Sequence, residues 1–269
     1  MDRREFHAVA LAGVLAAMTA SARATSQTQA PDELHDMSEF PASWTRADRI
    51  AMVLYPGFTA LDLVGPQYMF GNLMGATVDL VAETMAPVES DTKLSILPTR
   101  TFDDCARELD LLFVPGGGQG TLAAMSNERL IDFVADRGAR AGLVTSVCTG
   151  SLVLGQAGLL RGYRATSHWV ALSLLSDFGA TPVNARVVED RNRITGAGVS
   201  AGLDMGLRIV ARMRDREYAE AVQLLAEYAP QPPFNAGSPA TASPKLVAMT
   251  ETMFVGLLEQ MRAVSKHAR

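Results

Sequence analysis

A chain of 269 residues, 48% of them hydrophobic and 20% charged, is long enough to bury one substantial core. A net charge of −5 and a pI near 5.4 leave no basic footprint for nucleic acid or for an anionic membrane surface. Two cysteines are too few for a disulfide framework, and neither they nor the four histidines fall at metal-ligand spacing, so no metal site is expected.

The first residues read as a targeting segment. Arg3 and Arg4 precede Phe6 and a weakly apolar run from Ala8 to Ala20, and Ala22-Arg23-Ala24 offers a small-x-small cleavage site. Paired arginines in this setting direct folded proteins through the twin-arginine route. Residues 1–24 are therefore predicted to be an export signal cleaved after Ala24, and the mature protein periplasmic. The apolar run is shorter than the roughly 20 residues that span a bilayer, so no stable membrane span is expected after processing. Residues 25–46 are polar, proline-containing and aperiodic, and are predicted to link this segment to a domain over 47–239.

From Arg49 apolar runs alternate with helical patterns. Strands are predicted over 50–54, 77–82, 109–114 and 142–147, with a helix over 60–73 and a short hairpin or edge excursion over 92–102. Ser126 is expected to cap a helix running to about Arg140, with Arg129, Arg137 and Arg140 on its solvent side. A helix over 169–178, a hairpin over 184–195 turning at 189–192, and helices over 199–213 and 215–227 complete the series. This alternation specifies an α/β fold, a mainly parallel sheet covered on both faces. Ligands bind such sheets at the carboxyl ends of the strands, where the turns at 55–59, 116–118 and 148–150 all fall. Gly196-Ala197-Gly198 mimics a dinucleotide fingerprint, but only helices follow it, and it reads better as a tight turn with close helix packing. Residues 240–269 form a C-terminal extension. There a Gly/Ser/Pro/Ala hinge leads into an amphipathic helix from Leu246 to Met261, expected to pack on the core or on a second subunit.

The chemistry concentrates at 141–155. A buried strand ends at Cys148-Thr149-Gly150 and a helical pattern begins at once, which is the layout of a nucleophile elbow. A helix N-terminus beneath the sulfur would favour the thiolate through its free N–H groups and dipole; the competing reading is a buried cysteine acting as a small hydrophobe. Cys105 reads as an ordinary cysteine, and whether it can pair with Cys148 is left open by the sequence.

Several runs together carry a family resemblance: Tyr55-Pro56-Gly57, Leu61-Asp62-Leu63-Val64-Gly65-Pro66, Val114-Pro115-Gly116-Gly117-Gly118, Cys148-Thr149-Gly150-Ser151, Ala165-Thr166-Ser167-His168-Trp169 and the proline-rich stretch Pro230 to Pro239. Over about Arg49 to Pro239 the chain resembles the ThiJ/PfpI superfamily of class I glutamine-amidotransferase-like domains, and within it the isonitrile hydratases. The resemblance implies a three-layer flavodoxin-like sandwich, Cys148 as nucleophile, Asp62 as the neighbouring acid, and Thr149 as a hydrogen-bonding residue of the pocket. Backbone amides of Gly117, Gly118 and Thr149 would form the oxyanion-hole equivalent, since preorganised amides stabilise developing charge. His168 is either a structural histidine or part of the pocket lining. Thr149 stands where protease-like relatives carry histidine, which argues against peptidase chemistry. The implied reaction is cofactor-free hydration of a small-molecule isonitrile to an N-substituted formamide through a thioimidate, in a homodimer. Two alternatives stay open. One is a glyoxalase- or deglycase-type enzyme on carbonyl substrates, which would prefer glutamate at position 62. The other is a redox- or ligand-sensing module, which the export signal and the lack of a DNA-binding segment oppose.

Overall fold

In the computed structural model, which describes residues 38–268, the four apolar runs become neighbouring strands of one sheet. The expected export signal, and the expected linker up to residue 37, lie outside the described residues. The strands are β1 (Arg49–Val53), β2 (Thr77–Ala82), β3 (Arg100–Thr101), β4 (Leu111–Val114), β5 (Leu143–Val147), β6 (Val187–Asp190) and β7 (Arg193–Gly196). Their order across the sheet is β6-β7-β5-β4-β1-β2-β3. Every pairing is parallel except the β6–β7 hairpin, which turns through Arg191-Asn192.

Every residue of β4 and β5 is buried, as a parallel strand covered on both faces must be. Helices α1 (Ala60–Gly71), α5 (Ala201–Met213) and α6 (Arg216–Leu225) pack on one another to form one layer. The opposite layer holds α2 (Gln119–Met125), α3 (Glu128–Gly138), α4 (Gly150–Gln156), the helix over 169–178 and α7 (Pro244–Ser265). The Gly-Ala-Gly turn at 196–198 leads into α5, whose Gly202 and Gly206 sit against Pro66 and Met69 of α1. It is a packing device, as expected. No helix among the described residues is long and apolar enough to cross a membrane.

The structure corrects several sequence expectations. Ser126 does not open α3; it closes the unpredicted α2, giving its Oγ–H to Leu122 O. Asn127 is the cap, its side chain accepting the Leu130 N–H at 3.2 Å. Arg137, expected in solvent, is buried over the Phe133 ring and donates to the carbonyls of Phe102, Cys105 and Ala106. Its partners come from the loop before β4, which local periodicity cannot reveal. The helix expected over 169–178 is present with those bounds and is of the 3₁₀ type.

The compact unit begins at Pro41, inside the stretch expected to be a linker. Trp44 is buried edge-on against Tyr218 and donates its indole N–H to Asp215 at 2.7 Å. Beside it Arg214 and Asp48 form a buried ion pair at 2.6 Å, and the same guanidinium reaches the carbonyls of Trp44 and Met74. Asp48→Ala would leave the cation uncompensated, and a loss of about 3–5 kcal/mol is expected. Chemical denaturation measures it, and a loss below about 1 kcal/mol would mean that water replaces the carboxylate there.

Candidate active site

The in-register pairing of β1, β4 and β5 brings three turns to one edge of the sheet: Met52 pairs with Phe113, and Phe113 with Thr145. Cys148 follows β5 directly and adopts φ +56°, a left-handed conformation that strains a non-glycine residue. The surroundings hold it there. Its N–H donates to Gly196 O at 3.1 Å, and its carbonyl accepts the hydroxyls of Ser151 at 3.2 Å and Ser167 at 3.1 Å. Gly150 next seats α4 against the carbonyls of Val114 and Pro115, a contact with no room for a side chain. This is the expected elbow.

Asp62 lies in the first turn of α1, wholly buried, with Oδ2 accepting the Gly116 N–H at 2.9 Å. Burial raises its carboxyl from 3.8 to about 7, although the Gly116 amide and the Cys148 thiol beside it both pull the other way. Asp91, whose carboxylate accepts the Ala60 N–H at the start of α1, adds a further upward push. The Cys148 thiol is itself pushed well above its usual value, first by burial and then by the charge on Asp62; the Thr149 amide opposes this only in part. The expectation of a resting thiolate is therefore corrected. The helix N-terminus is present, but sealing the sulfur away from water outweighs it, and the resting nucleophile is a thiol next to a carboxyl able to take its proton.

The glycine turn also works differently from the expectation. Gly116 gives its N–H to Asp62, and Gly117 gives its N–H to Thr149 Oγ1 at 3.1 Å. The Thr149 N–H is directed at the Cys148 sulfur. Of the three amides expected to bind developing charge, Gly118 alone has no partner among the described residues, and it borders the cavity. The Thr149 hydroxyl continues into a buried network, 2.8 Å from Thr121 Oγ1, which is 3.2 Å from the Tyr55 hydroxyl.

Cys148 and Thr149 form part of the floor of a cavity of about 440 Å³. His168 lines it and makes ring contacts with Trp169 and Phe254 but no side-chain hydrogen bond among the described residues. Burial lowers its pKa and so favours the neutral imidazole. Asp62 does not border the cavity and reaches it through Cys148. Much of the wall is apolar, from Val170, Val199, and Phe254, Leu257, Leu258 and Met261 of α7, while Thr59, Asp91 and Gln119 also border it. The C-terminal extension is thus a wall of the site as well as a packing element. Its α7 contribution, like Tyr55 and Thr121, was missed from sequence. The apolar spacing of α7 was visible, but nothing in it said which surface it covers.

A model of the DJ-1/PfpI family matches residues 48–212. The chain is 48% identical over 200 residues to an isonitrile hydratase from Pseudomonas putida, covering 74% of this chain and 86% of that protein. A solved ThiJ/PfpI family protein from Pseudomonas syringae superposes with a TM-score of 0.83 at 51% identity, covering 89% of this chain and 98% of that one. The HTH-type transcriptional regulator GbdR of Pseudomonas aeruginosa is 31% identical over 189 residues, which are 66% of this chain but 50% of the regulator.

Proposed function

The chain belongs to the DJ-1/PfpI family as a cysteine-dependent small-molecule enzyme, and from that premise we propose that it hydrates an isonitrile to the N-substituted formamide. One observation carries the reading: the buried Asp62 carboxyl sits against the Cys148 thiol, and burial raises both groups, so the sulfur keeps its proton beside a carboxyl that titrates at about 7. Hydrating an isonitrile requires a nucleophile and a proton to arrive at the same carbon. A carboxyl in contact with the attacking sulfur is placed for that.

In the first step Asp62 takes the thiol proton, the sulfur bonds to the terminal carbon, and the carboxyl returns the proton to that carbon. The product is a thioimidate, R–N=CH–S–Cys148. Asp62 is again a carboxylate and can draw a proton from water as the oxygen adds to the same carbon. The nitrogen gains a proton, the carbon–sulfur bond breaks, and the thiol re-forms as the formamide leaves. No atom remains to be supplied by a cofactor. The apolar part of the wall, largely from α7, suits a hydrocarbon group on the isonitrile nitrogen.

The test is formamide production from an alkyl isonitrile beside lactate production from methylglyoxal. Cys148→Ala is expected to abolish the first; lactate without formamide would transfer the assignment to the carbonyl-directed alternative. Export rests on Arg3, Arg4 and the apolar run that follows them, and periplasmic fractionation checks it. A homodimer is supported by the exposed Leu61, Val64 and Tyr68, which lie along one flank of α1.

A further inference from the structure

Hydroxyl groups carry one proton each, and this fixes the direction of the network behind Thr149. Tyr55 donates its proton to Pro115 O at 2.6 Å. At its 3.2 Å contact with Thr121 it can therefore only accept, so the Thr121 proton points to Tyr55. Thr121 must then accept at its 2.8 Å contact with Thr149, whose proton points away from the cavity. The Gly117 N–H occupies one lone pair of Thr149 Oγ1, leaving the other as the acceptor that this hydroxyl offers to the site, where it meets the Cys148 thiol until the sulfur has bonded to carbon. Thr121 and Tyr55 are buried and do not border the cavity.

We propose that Thr121 and Tyr55 are positioning residues that hold the Thr149 hydroxyl as a hydrogen-bond acceptor, the orientation that aims the water attacking the thioimidate. This rests on the isonitrile reading given above. A water on the cavity floor that donates a hydrogen to Thr149 turns an oxygen lone pair toward the carbon on Cys148. A Thr149 free to rotate would instead donate to that water and turn the lone pair away. The relay acts on the second step; sulfur attack and proton return from Asp62 do not use it.

The experiment mixes n-butyl isonitrile with wild type, Thr121→Val, Thr121→Ser and Tyr55→Phe. Formamide release gives kcat and kcat/KM, and intact-protein mass at early times counts the adduct on Cys148. Thr121→Val is expected to lower kcat about tenfold or more, on the scale of one lost buried hydrogen bond. It should leave kcat/KM near wild type, lower KM in step with kcat, and accumulate the adduct. Serine should restore release, and Tyr55→Phe should shift kcat the same way but less. A purely structural role would lower kcat and kcat/KM together without accumulating adduct, and that result overturns the relay. Wild-type kcat in folded Thr121→Val overturns it also. Should Thr121→Val not fold, unchanged kcat in Tyr55→Phe does the same. Wild type forming neither adduct nor formamide overturns the reaction and the relay together; normal wild-type turnover with unaffected variants overturns the relay alone.

Discussion

Asp62→Asn is expected to lower formamide production by about 10²–10⁴-fold while making the protein more stable above neutral pH. Asparagine keeps the shape and can still accept the Gly116 N–H, but it cannot take the proton from Cys148 or return it to carbon. The stability gain follows from the raised carboxyl. A group that moves from 3.8 to about 7 on folding binds more protons folded than unfolded, so the wild type loses stability as pH rises across that window. At about pH 8 that cost is fully present, and removing the charge is expected to recover about 2–4 kcal/mol, at roughly 1.4 kcal/mol per pKa unit. Kinetics report the same pair. Below about 7 Asp62 already holds a proton and cannot accept the one on sulfur, so wild-type kcat/KM should rise with pH through that value, a limb absent from the variant. A variant that melts no higher than wild type at about pH 8, or that keeps the limb, would show that Asp62 does not carry the buried charge.

Gly116→Ala is expected to cost about 10²-fold in activity with a smaller loss of stability. A Cβ at Gly116 would stand 2.7 Å from both Asp62 Oδ2 and the Thr149 nitrogen, and 2.8 Å from Thr149 Oγ1. One methyl group therefore wedges between the acid, the elbow and the hydroxyl. Overpacking of this kind typically costs about 1–3 kcal/mol, and displacement of reacting groups by about 1 Å is enough for the rate loss. Alkylation of Cys148 by iodoacetamide provides the check. Its rate should change in Gly116→Ala, because the Thr149 amide that meets the sulfur must move. An unchanged rate together with wild-type turnover would show that the loop yields without disturbing the site. The Asp62 carboxyl and the Thr149 hydroxyl are held by the adjacent amides of Gly116 and Gly117, so this buried loop is expected to tolerate little change.

How much of this was legible beforehand depends on the range of the forces involved. The alternation of apolar runs and helical patterns from Arg49 onward, the elbow at Cys148 and the acid at Asp62 depend on local spacing, and each stands where the sequence put it. The helix Gln119–Met125 and the buried Arg137 did not, because their partners lie on other segments; the cap at Asn127 is local, one residue beyond the Ser126 expected.

The protonation state was the largest reversal. A helix N-terminus after the cysteine is readable in a sequence and favours a thiolate; the burial and the neighbouring carboxyl that overrule it arise when β1, β4 and β5 align side by side. The same alignment commits the Gly117 amide, one of the three expected to bind developing charge, to Thr149, and the Gly116 amide to Asp62, so this part of the turn positions the side chains. Residue order thus determined which groups carry the chemistry and on which turns they sit, since backbone periodicity and glycine punctuation are local. Tertiary structure alone decided which of them holds the proton, where the hydroxyl points and that α7 closes the cavity, since desolvation and hydrogen-bond partnership depend on segments far apart in the chain.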